Sequence, residues 1–169
     1  MEHPTSKLFS LKIRVTMFGV SKFQPRGGAD SRTFEYKFKI RCNSCNTVSE
    51  DTIAVSLGEK KVCKCKNRTC CAQGNITLEP GHGREVSEND NMKFVPLMRF
   101  RCMGFYPQEF EFGDDWAATL KDREDEMNFQ ENLWHFENGS VLLKHNGDAA
   151  SVYNLDSVFE CIEKRISMI

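Results

Sequence analysis

Six of the eight cysteines of this 169-residue chain lie between Cys42 and Cys71, and that cluster constrains the fold more than any other feature. In a reducing compartment disulfides do not persist, so thiols gathered this closely point to metal or redox chemistry. Cys42-Asn43-Ser44-Cys45 is a CxxC directly after an alternating apolar segment. Two intervening residues let both thiolates face one ion while amides of the tight turn donate to the sulfurs, the arrangement of a zinc knuckle. A tetrahedral site needs two more ligands, from Cys63, Cys65, Cys70 and Cys71. Cys63 and Cys65 span less than a knuckle turn, and the adjacent Cys70 and Cys71 would point to opposite faces of an extended chain. One cysteine from each pair is the sensible choice, with Cys65 and Cys70 spanning a four-residue loop.

Other chemistries fit less well. A thioredoxin-like CxxC needs a helix N-terminus to depress the thiol pKa, and usually a βαβ setting; here Asn46-Thr47-Val48 follows with no helical period. An iron–sulfur cluster could use four cysteines, but paired knuckles with a lysine-rich flank suit zinc. Lys60, Lys61, Lys64, Lys66 and Arg68 surround the second knuckle. Four thiolates around zinc carry a formal charge of about −2, so nearby cations lower the cost of assembling the site. The same cations could grip phosphates, which leaves a nucleic-acid-binding zinc ribbon as one alternative. A thiol redox or metal-transfer role through the surplus Cys63 and Cys71 is another. Cys102 and Cys161 stand alone in apolar surroundings and read as small core residues.

The rest of the chain is strand-rich. Leu11, Ile13, Val15 and Met17 alternate with Lys12, Arg14 and Thr16, the period-two signature of a half-buried strand. Residues 24–30 carry turn chemistry. Phe34, Tyr36, Phe38 and Ile40 mark a second strand running into Cys42, and Ile76 and Leu78 a shorter one after the cluster. Residues 79–84 with 87–91 read as a linker between an N-terminal half, 1–85, and a C-terminal half, 86–169. Met98, Phe100 and Cys102 alternate again, followed by a turn and by Phe110 and Phe112. Setting Phe38–Cys45 against Met98–Phe105 aligns Cys42 with Cys102 and Cys45 with Phe105, a short internal repeat whose second copy lacks the ligands. The charged stretch 114–131 reads as a solvated loop or short surface helix. Phe159, Ile162 and Ile166 suit a helix, and 158–162 an edge strand equally well.

With a formal net charge of −1 there is no overall pull toward nucleic acid or anionic membrane. Lys12 and Arg14 interrupt the apolar stretch 8–20, so neither a signal peptide nor a spanning helix is expected, and the cytosol or nucleus is the expected compartment. The histidines at 3, 82, 135 and 145 lack the spacing of a zincin helix, and no phosphate loop or nucleophile elbow is present. Three glycosylation patterns are irrelevant to a cytosolic chain. A four-cysteine shell is closed, whereas catalytic zinc keeps an open position, so no enzyme activity is expected.

The sequence resembles the eukaryotic CXXC-motif-containing zinc-binding proteins. The resemblance rests on Phe38–Cys45, on Cys65-Lys66 with a following cysteine, on Pro80-Gly81-His82-Gly83-Arg84, and above all on the block from Phe94 to Trp116. It implies an all-β fold of two similar halves related by a pseudo-two-fold, with one zinc per chain in the N-terminal half. This chain departs from the family in a short loop between knuckles and in a second knuckle, Cys65–Cys70, that is not a CxxC. Counting back from Pro80–Arg84 places Cys70 on the family's last ligand, and the register of Val62–Cys65 places Cys65 on the third. The ligand set implied is Cys42, Cys45, Cys65 and Cys70, with Cys71 a substitute for Cys70. The expected role is that of a monomeric binding or adaptor module with a protein partner, no membrane association and no nucleic acid.

Overall fold

Alternation of period two builds the centre of the fold. In the computed structural model, which describes residues 6–121, 126–128, 135–137, 140–145 and 148–162, Leu11, Ile13 and Val15 are completely buried. They belong to strand β1 (Ser6–Phe18), which is flanked by β8 (Val95–Met103) and β14 (Asp148–Cys161). These form the middle of a seven-stranded sheet with the order β12 (His135–Glu137), β13 (Ser140–His145), β14, β1, β8, β6 (Gln73–Glu79), β5 (Lys60–Lys64). A four-stranded sheet runs β11 (Glu126–Asn128), β10 (Trp116–Leu120), β2 (Val20–Pro25), β7 (Val86–Ser87). A three-stranded sheet runs β4 (Ile53–Val55), β3 (Tyr36–Cys42), β9 (Phe105–Glu111). All pairings are antiparallel. The described residues contain no α-helix, only a 3-10 turn at Glu88–Asp90, and no helix long and apolar enough to cross a membrane. The chain is all-β.

One apolar cluster joins the sheets. Phe23 stacks on Trp116 at 4.7 Å between centroids, and Phe34 and Phe38 meet Tyr36 and Phe100 edge-on. Tyr36 donates its buried hydroxyl to the Ala29 carbonyl at 2.6 Å, so the core pays no unsatisfied phenol for its size.

The strand order is unchanged when β1 is exchanged with β8, β14 with β6, β13 with β5, β3 with β10, β2 with β9 and β4 with β11. Only β7 and β12 lack a counterpart in this exchange. It pairs β8 with β1, so the alignment of Phe38–Cys45 with Met98–Phe105 is not the correspondence the topology makes. The matching signal is the glycine bend. Gly19 joins β1 to β2 and Gly104 joins β8 to β9, with φ of 68° and 81°, a conformation in which a side chain is strained.

Three further expectations change, and one open alternative closes. The stretch read as a linker is ordered by Arg84, which donates to Asp90 at 2.8 Å, and by the Ser87 hydroxyl and amide, both bonded to Asp90. In the charged stretch, 116–120 is a strand with Trp116, Ala117 and Ala118 buried; the charges lie outside it. Residues 158–161 end β14 as strand, and Ile166 lies outside the described residues. Cys102 is buried as expected, but Cys161 is exposed at the end of β14 and is no core residue.

Candidate metal centre

Two turns at neighbouring strand ends assemble the centre. Cys42 closes β3, and the chain then folds back so that Asn46 donates its amide to the Cys42 carbonyl at 2.9 Å. Asn46 sits at φ 62°, the left-handed region that asparagine tolerates better than most residues. The second turn lies between β5 and β6. There Cys71 donates its amide to the Asn67 carbonyl at 3.2 Å and itself sits at φ 52°. Cys71 therefore takes the place after Cys70 that Asn46 takes after Cys45.

The four sulfurs of Cys42, Cys45, Cys65 and Cys70 lie within 4.8 Å of one another. Cys42 and Cys70 approach to 3.7 Å, and Cys45 and Cys65 to 3.6 Å. A tetrahedron of Zn–S bonds of about 2.3 Å has edges of about 3.8 Å, so the donor set fits zinc in number, element and spacing. Backbone amides support it. The Thr47, Asn67 and Ala72 amides donate to the sulfurs of Cys45, Cys65 and Cys70, each amide two residues beyond its cysteine, as a knuckle requires. The Thr47 hydroxyl lies 3.1 Å from the Cys45 sulfur, within hydrogen-bond reach. That contact, with the Thr47 amide behind it, brings the Cys45 thiol down to about 6.

The surplus cysteines are placed apart. Cys71 is exposed and its thiol donates to the Arg68 carbonyl at 3.3 Å. Cys63 is buried on β5, and burial pushes its thiol up. The lysines around the second knuckle are partly shared with carboxylates, Lys61 with Glu59 and Lys66 with Asp51, each at 3.9 Å. Sequence reasoning missed Thr47 and Asn67, which buttress the sulfurs. Their signal is a small polar residue two positions after a cysteine.

Residues 10–138 match the family described as CXXC motif containing zinc binding protein, eukaryotic. The chain belongs to this family. A member from Rattus norvegicus is 25% identical over 139 residues, covering 74% of this chain and 83% of that one. The Homo sapiens member is 23% identical over the same length, with the same coverage. Among solved structures, C1orf123 superposes with a TM-score of 0.75 at 18% identity, covering 92% of this chain and 99% of that one. A hypothetical protein from Plasmodium falciparum superposes with a TM-score of 0.66 at 12% identity, covering 91% and 99%. These likenesses carry the fold. Family membership and the four-cysteine cluster together point to zinc binding.

Proposed function

We propose that the chain holds one structural zinc ion on Cys42, Cys45, Cys65 and Cys70 and acts, without catalysis, as a binding or adaptor module. The observation that carries this reading is the mutual approach of four sulfurs to tetrahedral spacing. Four thiolates close the coordination shell and leave no position for a substrate or an activated water. The ion ties the end of β3 to the β5–β6 turn and so fixes the relation of two sheets. A redox or metal-transfer role would draw on Cys63 and Cys71. Burial of the first and its raised pKa speak against ready thiol exchange there. The reading includes a monomer in the cytosol or nucleus.

Elemental analysis of protein expressed under reducing conditions tests the metal, with one zinc per chain expected. Two ions, or iron with visible charge-transfer absorption, would refute the site. Affinity capture from the protein's own cells, comparing zinc-loaded chain with Cys42→Ser, tests the adaptor role. A partner held by the first and lost by the second is expected; no specific partner in either arm refutes it.

A further inference from the structure

Strand β5 ends the seven-stranded sheet, and among the described residues no strand pairs with its outer edge. Under the exchange that relates the two halves of the strand order, β5 corresponds to β13. The outer edge of β13 is occupied by β12, which pairs antiparallel with it from His135↔Leu142 to Glu137↔Ser140. Among the described residues this slot is filled in one half and open in the other. Alongside the open edge lies a cavity of about 660 Å³, with Ile40, Ile53, Cys63 and Phe105 among its lining residues. Its volume is enough for a few side chains of an extended segment.

We propose that this edge binds an extended acidic segment of a partner protein, which adds to the sheet as an antiparallel strand beside β5. The inference rests on the adaptor reading and names the surface and partner chemistry it would use. The five residues of β5 are Lys60-Lys61-Val62-Cys63-Lys64, three of them cationic. Lys60, Val62 and Lys64 are exposed and share one face, whereas Cys63 faces the core and Lys61 is half-buried. Val62 is 72% exposed, a β-branched side chain without cover. A strand laid antiparallel here puts its side chains opposite these, where opposite charges and β-branched pairs attract. The segment that fits has acidic residues opposite Lys64 and Lys60, a β-branched residue opposite Val62, and an apolar residue opposite Cys63 above the cavity. Glu50 and Asp51 also line the cavity, but Asp51 is paired with Lys66, and Lys61 with Glu59. A second copy of the chain is the wrong occupant, because two such edges would set lysine against lysine.

The probe is a fluorescein-labelled peptide with Glu-Ile-Val-Thr-Glu at its centre, titrated with zinc-loaded protein and read by anisotropy. Hydrogen exchange is followed on the amides of residues 60–64. Saturable 1:1 binding and slowed exchange at β5 are expected. Lys60→Glu with Lys64→Glu should weaken binding at least about tenfold, two attractive cross-strand pairs having turned repulsive. The variant should instead take the peptide in which both glutamates are lysines. Lys64 adjoins Cys65, so zinc content is measured for each variant, and Lys60→Glu alone decides if the double variant loses metal. No saturation at about 1 mM protein, affinity within twofold after charge reversal, or equal binding by a backbone N-methylated peptide each overturns the proposal. So does a dimer in sedimentation that the reversal disrupts. A chain that captures a cellular partner yet fails these tests keeps its adaptor role and loses this surface.

Discussion

Replacing Cys70 and Cys71 separately should give opposite results, because the two residues occupy different places in one turn. Cys70 supplies a sulfur 3.7 Å from that of Cys42. Structural zinc contributes on the order of 10–16 kcal/mol in small zinc-finger peptides. Divided over four sulfurs, one ligand is worth about 3 kcal/mol, so Cys70→Ser should weaken zinc binding by about a hundredfold. Cys71 contributes only an exposed thiol hydrogen bond to Arg68 and sits at φ 52°. Left-handed backbone costs a side-chain-bearing residue about 1–2 kcal/mol. Glycine removes that strain and loses about 0.5–1 kcal/mol in unfolded-chain entropy. The net gain for Cys71→Gly is about 0.5–1 kcal/mol, which in a chain of this length raises the melting temperature by about 1–4 °C. Zinc affinity is read by competition with a chromophoric chelator and stability by calorimetry. If Cys71→Gly empties the site, or Cys70→Ser competes as well as the native chain, the register of the second turn is wrong.

A Cβ on Gly74 would lie 1.9 Å from the Met103 carbonyl oxygen and 3.1 Å from the Phe105 ring; Gly74→Ala should cost about 1–3 kcal/mol, seen as a lower melting temperature with zinc still bound at high metal. Cys63→Ser and Cys102→Ser should both retain a full zinc and lose about 1–3 kcal/mol by burying a hydroxyl, whereas Cys42→Ser and Cys45→Ser should each weaken zinc by about a hundredfold, as Cys70→Ser does, in the same chelator competition. Arg84 first, and the Ser87 amide next, hold the Asp90 carboxyl well below the usual carboxylate range. A depressed folded pKa gives stability that is complete above the unfolded value of about 4 and is lost as pH falls below it; Asp90→Asn should flatten the melting temperature against pH in that acid range.

Legibility followed the local signals. Leu11–Met17 and Tyr36–Ile40 were readable because one face of each strand is buried and the other is not. The knuckle at Cys42–Cys45 was readable because its chemistry is confined to four residues. β10 was not readable. Its core contribution comes from Trp116, Ala118 and Leu120, and alanine carries no β signal. β2 was hidden because Pro25, a residue tolerated at strand ends, looks like turn punctuation. Which member of Cys70-Cys71 faces the other sulfurs depends on a left-handed backbone at Cys71, and cysteine does not advertise that conformation as glycine or asparagine would. The correspondence between halves was misplaced because two alternating strands of similar composition align in many registers, whereas the glycine bends at 19 and 104 align in one.

The ladders account for the metal's position on one side of the strand exchange. β14 is 14 residues long and pairs with β1 at nine positions, while its counterpart β6 is 7 residues long and pairs with β8 at five. β13 carries β12 on its outer side, while β5 carries no strand among the described residues. The β5–β6 arm therefore has fewer backbone bonds holding it and, among the described residues, no strand on its outer edge. Cys65 follows β5 directly and Cys70 lies in the turn before β6, so a zinc shared with Cys42 and Cys45 fastens this weaker arm to the end of β3. Loss of zinc should then loosen β5 and β6 first while β1, β8 and β14 stay paired, because the ladders that join those three strands contain none of the four ligands. Hydrogen exchange on the chelator-treated chain reads this directly. Fast exchange confined to residues 60–79 is the expected pattern. Uniform loss of protection across β1 and β14 would mean that the ion holds the whole core, and the ladder argument would fail.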